Sequence, residues 1–277
     1  MKGVIRKTRH EGQRSYIPSF LASRFLILLF CVIVFFPIAY TFMASFMTLS
    51  EFLEYPPRFF PRSFVNFDNY AKVFSQAPMA RYMLNSLIVA TVGSLVRLAF
   101  ALMAAYAIVF YDFRGSMVVF ALVLGTMMLS GDTLLVANFL MVARLGLFDT
   151  YFGIMAVYLV SPLHLFVLRQ SFKSQPKDIR DQALLDGCGD FGYMRHVLLP
   201  MSGSVLYALY VQSFVSLWNL YLWPLMVTTR AEMRTVQVGL TMLTTADGTN
   251  FDVVMAGVAS ILVPSFVIFG IMMRKKI

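Results

Sequence analysis

From Phe25 to Met47 the chain reads FLILLFCVIVFFPIAYTFMASFM, an apolar run without a single charged residue. A bilayer core is about 30 Å thick and takes about 20 helical residues to cross. Inside it, every backbone amide and carbonyl must find its partner within the protein. A run of this length therefore leaves few folds open, and it reads as a membrane-spanning helix. Basic residues precede it, as they do in a secretory signal. The run is too long for a signal core and lacks a clear small-residue cleavage site, so it is expected to be retained as the first span.

Five more apolar runs follow, at about 84–110, 117–141, 151–168, 202–227 and 253–273. The third is interrupted by Ser130-Gly131-Asp132-Thr133, so it is expected to break or end early. The expected fold is an all-α polytopic membrane protein with six transmembrane helices. A basic tail, 1–24, precedes a transmembrane domain, 25–273, and a short tail, 274–277, closes the chain. Hydrophobic residues make up 59% of the sequence, more than a soluble chain of 277 residues would carry.

The formal net charge of +9 would suggest nucleic acid in a soluble protein. Here its distribution gives the topology. Of the 23 Lys and Arg, 15 fall on the side of the two termini and 7 on the other, with Arg97 inside a span. The positive-inside bias places both termini in the cytoplasm. Cys31 and Cys188 stand in no metal-ligand spacing and imply no disulfide framework.

On the same side as the termini lies a polar island, Gln175 to Pro200, reading QPKDIRDQALLDGCGDFGYMRHVLLP. It is patterned. Pro176 suits the first turn of a helix, where its missing N–H costs nothing. Ile179, Ala183 and Leu184 then recur at helical spacing, and Gly187 suits a helix end with positive φ. A second run, Phe191, Met194 and Leu198, leads to Pro200. Two short helices around a glycine hinge at a membrane surface form a docking element, expected to be fixed at one end by Leu199-Pro200 leading into the fifth span.

The island resembles the EAA loop of the membrane subunits of bacterial ATP-binding-cassette (ABC) importers, with Asp181-Gln182-Ala183-Leu184-Leu185-Asp186-Gly187 at its core and Leu199-Pro200 closing it. Asn69-Tyr70, Asn85-Ser86, Ala104-Ala105-Tyr106-Ala107, Phe113, Gly115, Leu145-Gly146-Leu147, Trp218-Asn219 and Pro264 extend the match. Together they are similar to the maltose-type carbohydrate-uptake family in its second-permease position. The resemblance implies a coupling helix that enters a cleft of a cytoplasmic ATPase. Asp181 would stand where the family's Glu meets a basic group, Gln182 and Ala183 would follow at the packed positions, and Asp186 and Gly187 would make the turn. Asp181 is one methylene shorter than Glu, and Gln182 replaces a small alanine. The resemblance also implies the partners: a second permease subunit, two ATP-binding-cassette subunits that bind ATP and Mg, and an extracytoplasmic solute-binding protein. No cofactor is expected on this chain.

Candidates for the substrate path are Arg97, Asp132, Trp218, Asn219 and Tyr221. A cation at mid-span costs about 2.5–3.5 kcal/mol, so Arg97 should face a cavity or a partner. It could contact an anionic solute, pair with an acid such as Asp132, or snorkel. Glycerol-phosphate permeases of the resembled family are similar in carrying a cation here, and the 218–224 run and Gly248-Thr249 also resemble that branch. Glycerol 3-phosphate is therefore the narrow preference, with a neutral oligosaccharide close behind. Asp132 could line the path or cap a half-helix. Trp218, Asn219, Tyr221 and Trp223 could face the solute or anchor at the membrane interface. His164 reads as a hydrogen-bonded packing residue.

The sequence holds no GxxxxGK[ST] loop and no His-Glu-x-x-His, so an ATPase is expected in a separate subunit. The rival reading is a self-contained transporter driven by an ion gradient. It calls for paired intramembrane acids and inverted repeats, and one candidate acid and no convincing repeat are present. A membrane scaffold without transport would leave Arg97 without a use.

Overall fold

The computed structural model describes residues 16–111, 113–129, 131, 133–243 and 250–274. Among these the regular structure is helical. The first helix, α1 (Tyr16–Ala44), begins within what the sequence suggests is the tail, because Tyr16 to Arg24 continue the helix. Its apolar residues from Phe25 to Phe36 are exposed in the isolated chain, as befits a helix that meets lipid or another subunit. A one-turn helix, α2 (Leu49–Phe52), follows behind a capping box in which Thr48 Oγ1 accepts from the Glu51 amide and Glu51 accepts from the Thr48 amide. Helix α3 (Asp68–Gln76) is tied back by Asn69, whose side chain donates to the carbonyls of Ser45 and Met47 at 3.0 and 2.7 Å.

The long helix α4 (Met79–Phe110) organises the rest. At 1.5 Å per residue its 32 residues span about 48 Å. Small residues on it let neighbours approach closely, as membrane helices require. A Cβ at Gly93 would meet Leu217 and Met155.

Helix α5 (Ser116–Gly125) starts at Gly115, φ 90, and runs through a 3₁₀ turn, Thr126–Met128. Helix α6 (Leu135–Arg144) takes up only after the chain has turned, so the third apolar run is two short helices and not one continuous crossing. The reason is local: Leu129 is extended, and Gly131 and Thr133 lie in turns. The fourth run is α7 (Tyr151–Met155) with a 3₁₀ turn, Ala156–Tyr158, and then α8 (Pro162–Lys173), bent by 55°. Ser161 caps α8 and Pro162 opens it, which is why the helix restarts there.

The island forms α9 (Lys177–Leu185) and α10 (Asp190–Tyr193), followed by a π-helical turn, Met194–Leu198, and α11 (Leu199–Met201). The chain then bends by 80° into α12 (Gly203–Trp218). The fifth run is also interrupted, because α13 (Leu222–Val227) is separated from α12 by Asn219–Tyr221. Helix α14 (Val236–Met242) precedes α15 (Phe251–Arg274), the last apolar helix. By length and composition α1, α4 and α15 can cross a bilayer unbroken, and the two bent pairs reach that length together.

Helices α8 and α12 pack along α4, and three apolar clusters follow its length. Near Met79 the core holds Val73, Tyr82, Phe214, Trp218, Val236 and Val253. Val89, Val142, Ile154 and Trp223 fill the next layer. Toward Phe110 lie Ala101, Tyr106, Phe120, Leu168, Phe172, Tyr193 and Leu198.

Candidate functional site

Two regions of α4 carry the chemistry: its Phe110 end, where the island docks, and its middle, beside a groove between broken helices. Helix α9 starts after Pro176, which stands at the cap position, one residue before the first helical turn. It ends in a Schellman motif: the Gly187 amide donates to the Leu184 carbonyl at 3.0 Å, and the Cys188 amide to Ala183 at 2.9 Å. Gly187 has φ 79, a conformation that costs any residue with a Cβ. Asp181, Gln182, Asp186 and Gly187 are exposed, while Ala183 packs half-buried against the core. The outer face of this element also presents apolar residues, Leu185 at 88% and Phe191 at 68% exposure.

The island is fastened to α4 by residues that the sequence spacing does not bring together. Tyr106 donates to Asp190 Oδ1 at 3.0 Å and Tyr111 to Asp190 Oδ2 at 2.9 Å. Arg180 Nη2 lies 3.7 Å from Asp190 Oδ1, and its guanidinium sits 4.9 Å from the ring centre of Phe110. Phe110 in turn meets Tyr193 edge-on. A cavity of about 330 Å³ opens beside this junction, lined by Lys173, Gln175, Arg180 and Asp181. Of these contacts only Tyr106 carried a sequence signal, inside Ala104-Ala105-Tyr106-Ala107.

At mid-helix, Arg97 is buried, and its Nε donates to the Tyr158 carbonyl at 2.5 Å. Tyr158 closes the 3₁₀ turn before α8, where the bend leaves carbonyls without helical partners. Arg97 is thus a side-chain cap on a broken helix. No carboxylate among the described residues pairs with it, and Asp132 lies outside the described residues, as does Gly248-Thr249. His164, close by, bridges Ser161 Oγ at 2.8 Å and the Leu209 carbonyl at 3.2 Å. A carbonyl only accepts, so Nε2 carries the proton and Nδ1 accepts from Ser161.

The groove, about 570 Å³, is walled by the three interruptions. Thr126, Gly131 and Leu134 come from the α5–α6 break and Asn138 from the first turn of α6, Tyr158 and Ser161 from the α7–α8 bend, and Asn219, Leu220 and Tyr221 from the α12–α13 break. Non-helical backbone at membrane depth is tolerated where it lines a cavity, and here three such stretches meet. Of the residues expected on the path, Asn219 and Tyr221 line the groove. Trp218 does not: it is 5% exposed and stacks on Phe214 in the core, because α12 turns it away one residue before the break. Arg97 is not among the lining residues. Asn138, Tyr158 and Ser161 are groove residues that the sequence reading missed, although Ser161-Pro162 marks the restart of a helix.

Toward its Met79 end, α4 is tied to the segment that precedes α14. Asn85 Nδ2 donates to the carbonyls of Glu232 and Arg234 at 2.7 and 2.9 Å, Tyr151 donates to Asn85 Oδ1, and the Val236 amide donates to Ser86. Asp149, φ 54, accepts from the amides of Thr229 and Arg230 at 2.7 and 2.8 Å and from the Thr229 hydroxyl. Partial burial pushes its carboxyl up, but the Thr229 hydroxyl, both amides and the Arg230 charge outweigh this and hold it below the ordinary carboxylate range.

A groove between broken membrane helices, joined to a projecting surface helix, defines the permease class of transport protein. No family profile matches the chain. It is 30% identical over 263 residues to the arabinooligosaccharides transport system permease protein AraQ of Bacillus subtilis (strain 168), covering 94% of this chain and 93% of that protein. It is 32% identical over 263 residues to the sn-glycerol-3-phosphate transport system permease protein UgpE of Brucella melitensis biotype 1, with 92% and 93% covered. Its fold superposes with a TM-score of 0.82, at 21% identity, on a chain of a bacterial ABC transporter involved in the import of the acidic polysaccharide alginate, covering 96% of this chain and 99% of that one. The chain belongs to the maltose-type family of ABC importer permease subunits.

Proposed function

We propose that this subunit forms half of the translocation pathway for a carbohydrate or sn-glycerol 3-phosphate in a bacterial inner membrane, with α9 as the helix that couples it to a cytoplasmic ATPase. The observation that carries this is the groove where three helix interruptions meet. Asn219 and Tyr221 lie on the solute path; Asp181, Gln182, Ala183, Asp186 and Gly187 form the coupling surface. A second, similar permease subunit supplies the other half of the path, and a solute-binding protein delivers the solute from outside. Two ATP-binding-cassette subunits bind ATP and Mg and carry out the hydrolysis, and this chain binds no cofactor. Both termini lie in the cytoplasm, on the side to which the charge bias assigns α9.

Of the two solute classes, the groove favours the carbohydrate. Its described lining is neutral, with asparagine, serine, threonine and tyrosine groups suited to hydroxyls and a Trp223 edge, and Arg97 is engaged by backbone beside it. The resemblance to the glycerol-phosphate branch speaks for the other class. Uptake of a labelled arabinooligosaccharide by the complete transporter, in competition with glycerol 3-phosphate, separates the two. Competition by unlabelled oligosaccharide but not by glycerol 3-phosphate is expected; the opposite ranking would reassign the groove to a phosphate.

A further inference from the structure

We propose that Asp190 is the positioning residue through which α9 drives α4, so that the stroke of the coupling helix reaches the groove along α4 and not through the chain into α12. The proposal rests on the reading of α9 as the coupling helix.

Helix α9 has little of its own to hold it. Most of its described side chains are exposed, and it continues into α10 through Asp186, Gly187, Cys188 and Gly189. Its lateral attachments are Ala183, half-buried against the core, and Arg180, which lies over Phe110 and beside Asp190. Asp190 is gripped from the other side by one hydroxyl on each carboxylate oxygen, Tyr106 on Oδ1 and Tyr111 on Oδ2. A carboxylate held at both oxygens by donors from one neighbour is fixed in orientation as well as distance. Asp190 thus stands where α9, α10 and the end of α4 meet, beside the Phe110 ring.

The covalent route is softer. From Tyr193 the chain passes through a π-helical turn, a three-residue helix and an 80° bend before α12 begins. A π-turn and a sharp bend break the straight helical path between α10 and α12. Helix α4 has no such break among its 32 residues. Beyond the clamp it holds, through Arg97, the carbonyl at the bend that walls the groove, and through Asn85 and Ser86 the backbone of 232–236. A displacement delivered at Asp190 therefore moves one rod that has a handle on the groove through Arg97 and another on the 232–236 segment through Asn85 and Ser86.

The test uses the complete transporter in nanodiscs, with Cys31 and Cys188 replaced by serine and a reporter, Leu134→Cys, in the groove. The rate of maleimide labelling is compared without nucleotide and with ATP plus vanadate. In the parent the rate should change by about fivefold or more, and in Asp190→Ala by less than about twofold, with Asp190→Glu retaining most of the response. The double variant Tyr106→Phe/Tyr111→Phe, which removes two hydroxyls and little volume, should behave as Asp190→Ala does. Vanadate trapping of nucleotide and co-purification of the ATPase should be unchanged in all of them. A full labelling response in the alanine and double-phenylalanine variants would overturn the proposal. Loss of the ATPase from those variants would also overturn it, making Asp190 a docking residue. A parent that shows trapping but no labelling change would take down the coupling reading of α9 and this proposal with it.

Discussion

Arg97 holds the Tyr158 carbonyl at the point where a helix breaks, and that contact gives a buried cation its use. A hydrogen bond from a charged group contributes about 1.5–3 kcal/mol, and removing the donor forfeits it. Arg97→Ala should therefore lower the stability of the purified subunit by about that amount and leave the preference between oligosaccharide and glycerol 3-phosphate unchanged; thermal unfolding in detergent and uptake competition check the two halves. A changed solute preference would return Arg97 to the path. Asp149 gives a pH prediction. Its carboxyl is held below the usual range, so the tether to Thr229 and Arg230 is complete above the unfolded-state pKa and is lost as pH falls through the lower native one. Protease sensitivity of the 228–234 segment should rise only under acid, below the ordinary Asp range, and at neutral pH in Asp149→Asn. The sequence could price Arg97 as a charge in a membrane but could not choose its partner. Tyr158 is distant in sequence, and the bond goes to a backbone carbonyl, which every residue offers.

At the scale of the element, α9 was the most legible part of the chain. Pro176, the spacing of Ile179, Ala183 and Leu184, and Gly187 announce a short helix with a left-handed end, and the structure has it. Such ends depend on local backbone rules. The same holds for the break at Gly131, which the polar interruption marks. The boundary at Ser202 was legible from Pro200 and Gly203 on either side of it, but the 80° angle of the bend was not. It is the packing of α12 along α4 that sets its direction. Two predictions belong here. Gly187→Pro breaks the Schellman turn, since proline fixes φ near −65° and offers no amide to Leu184, and should abolish uptake while ATP hydrolysis continues. Leu185→Asp removes an exposed leucine whose burial against a partner contributes roughly 1.5–3 kcal/mol. It should weaken ATPase co-purification by about ten- to a hundredfold without changing the subunit's melting. Unaltered co-purification would remove α9 from the ATPase contact.

For the whole molecule, three of the six apolar runs become the unbroken helices α1, α4 and α15, the other three become the interrupted pairs α5–α6, α7–α8 and α12–α13, and the three interruptions line one groove. A sequence shows that a span is broken but not that three breaks face each other, since that depends on how α6, α8 and α12 are turned around their neighbour. The neutral groove, the clamp at Asp190 and the exposed face of α9 then lie along one rigid helix, the arrangement needed to convert a push at the membrane surface into a change in a path through it. The central claim is that this path is opened by ATP. The direct measurement is uptake of labelled arabinooligosaccharide into vesicles carrying this subunit with its partner subunits and solute-binding protein, once with ATP and no ion gradient, and once with a proton or sodium gradient and no ATP. Uptake with ATP alone is predicted. Uptake driven by the gradient alone would contradict it.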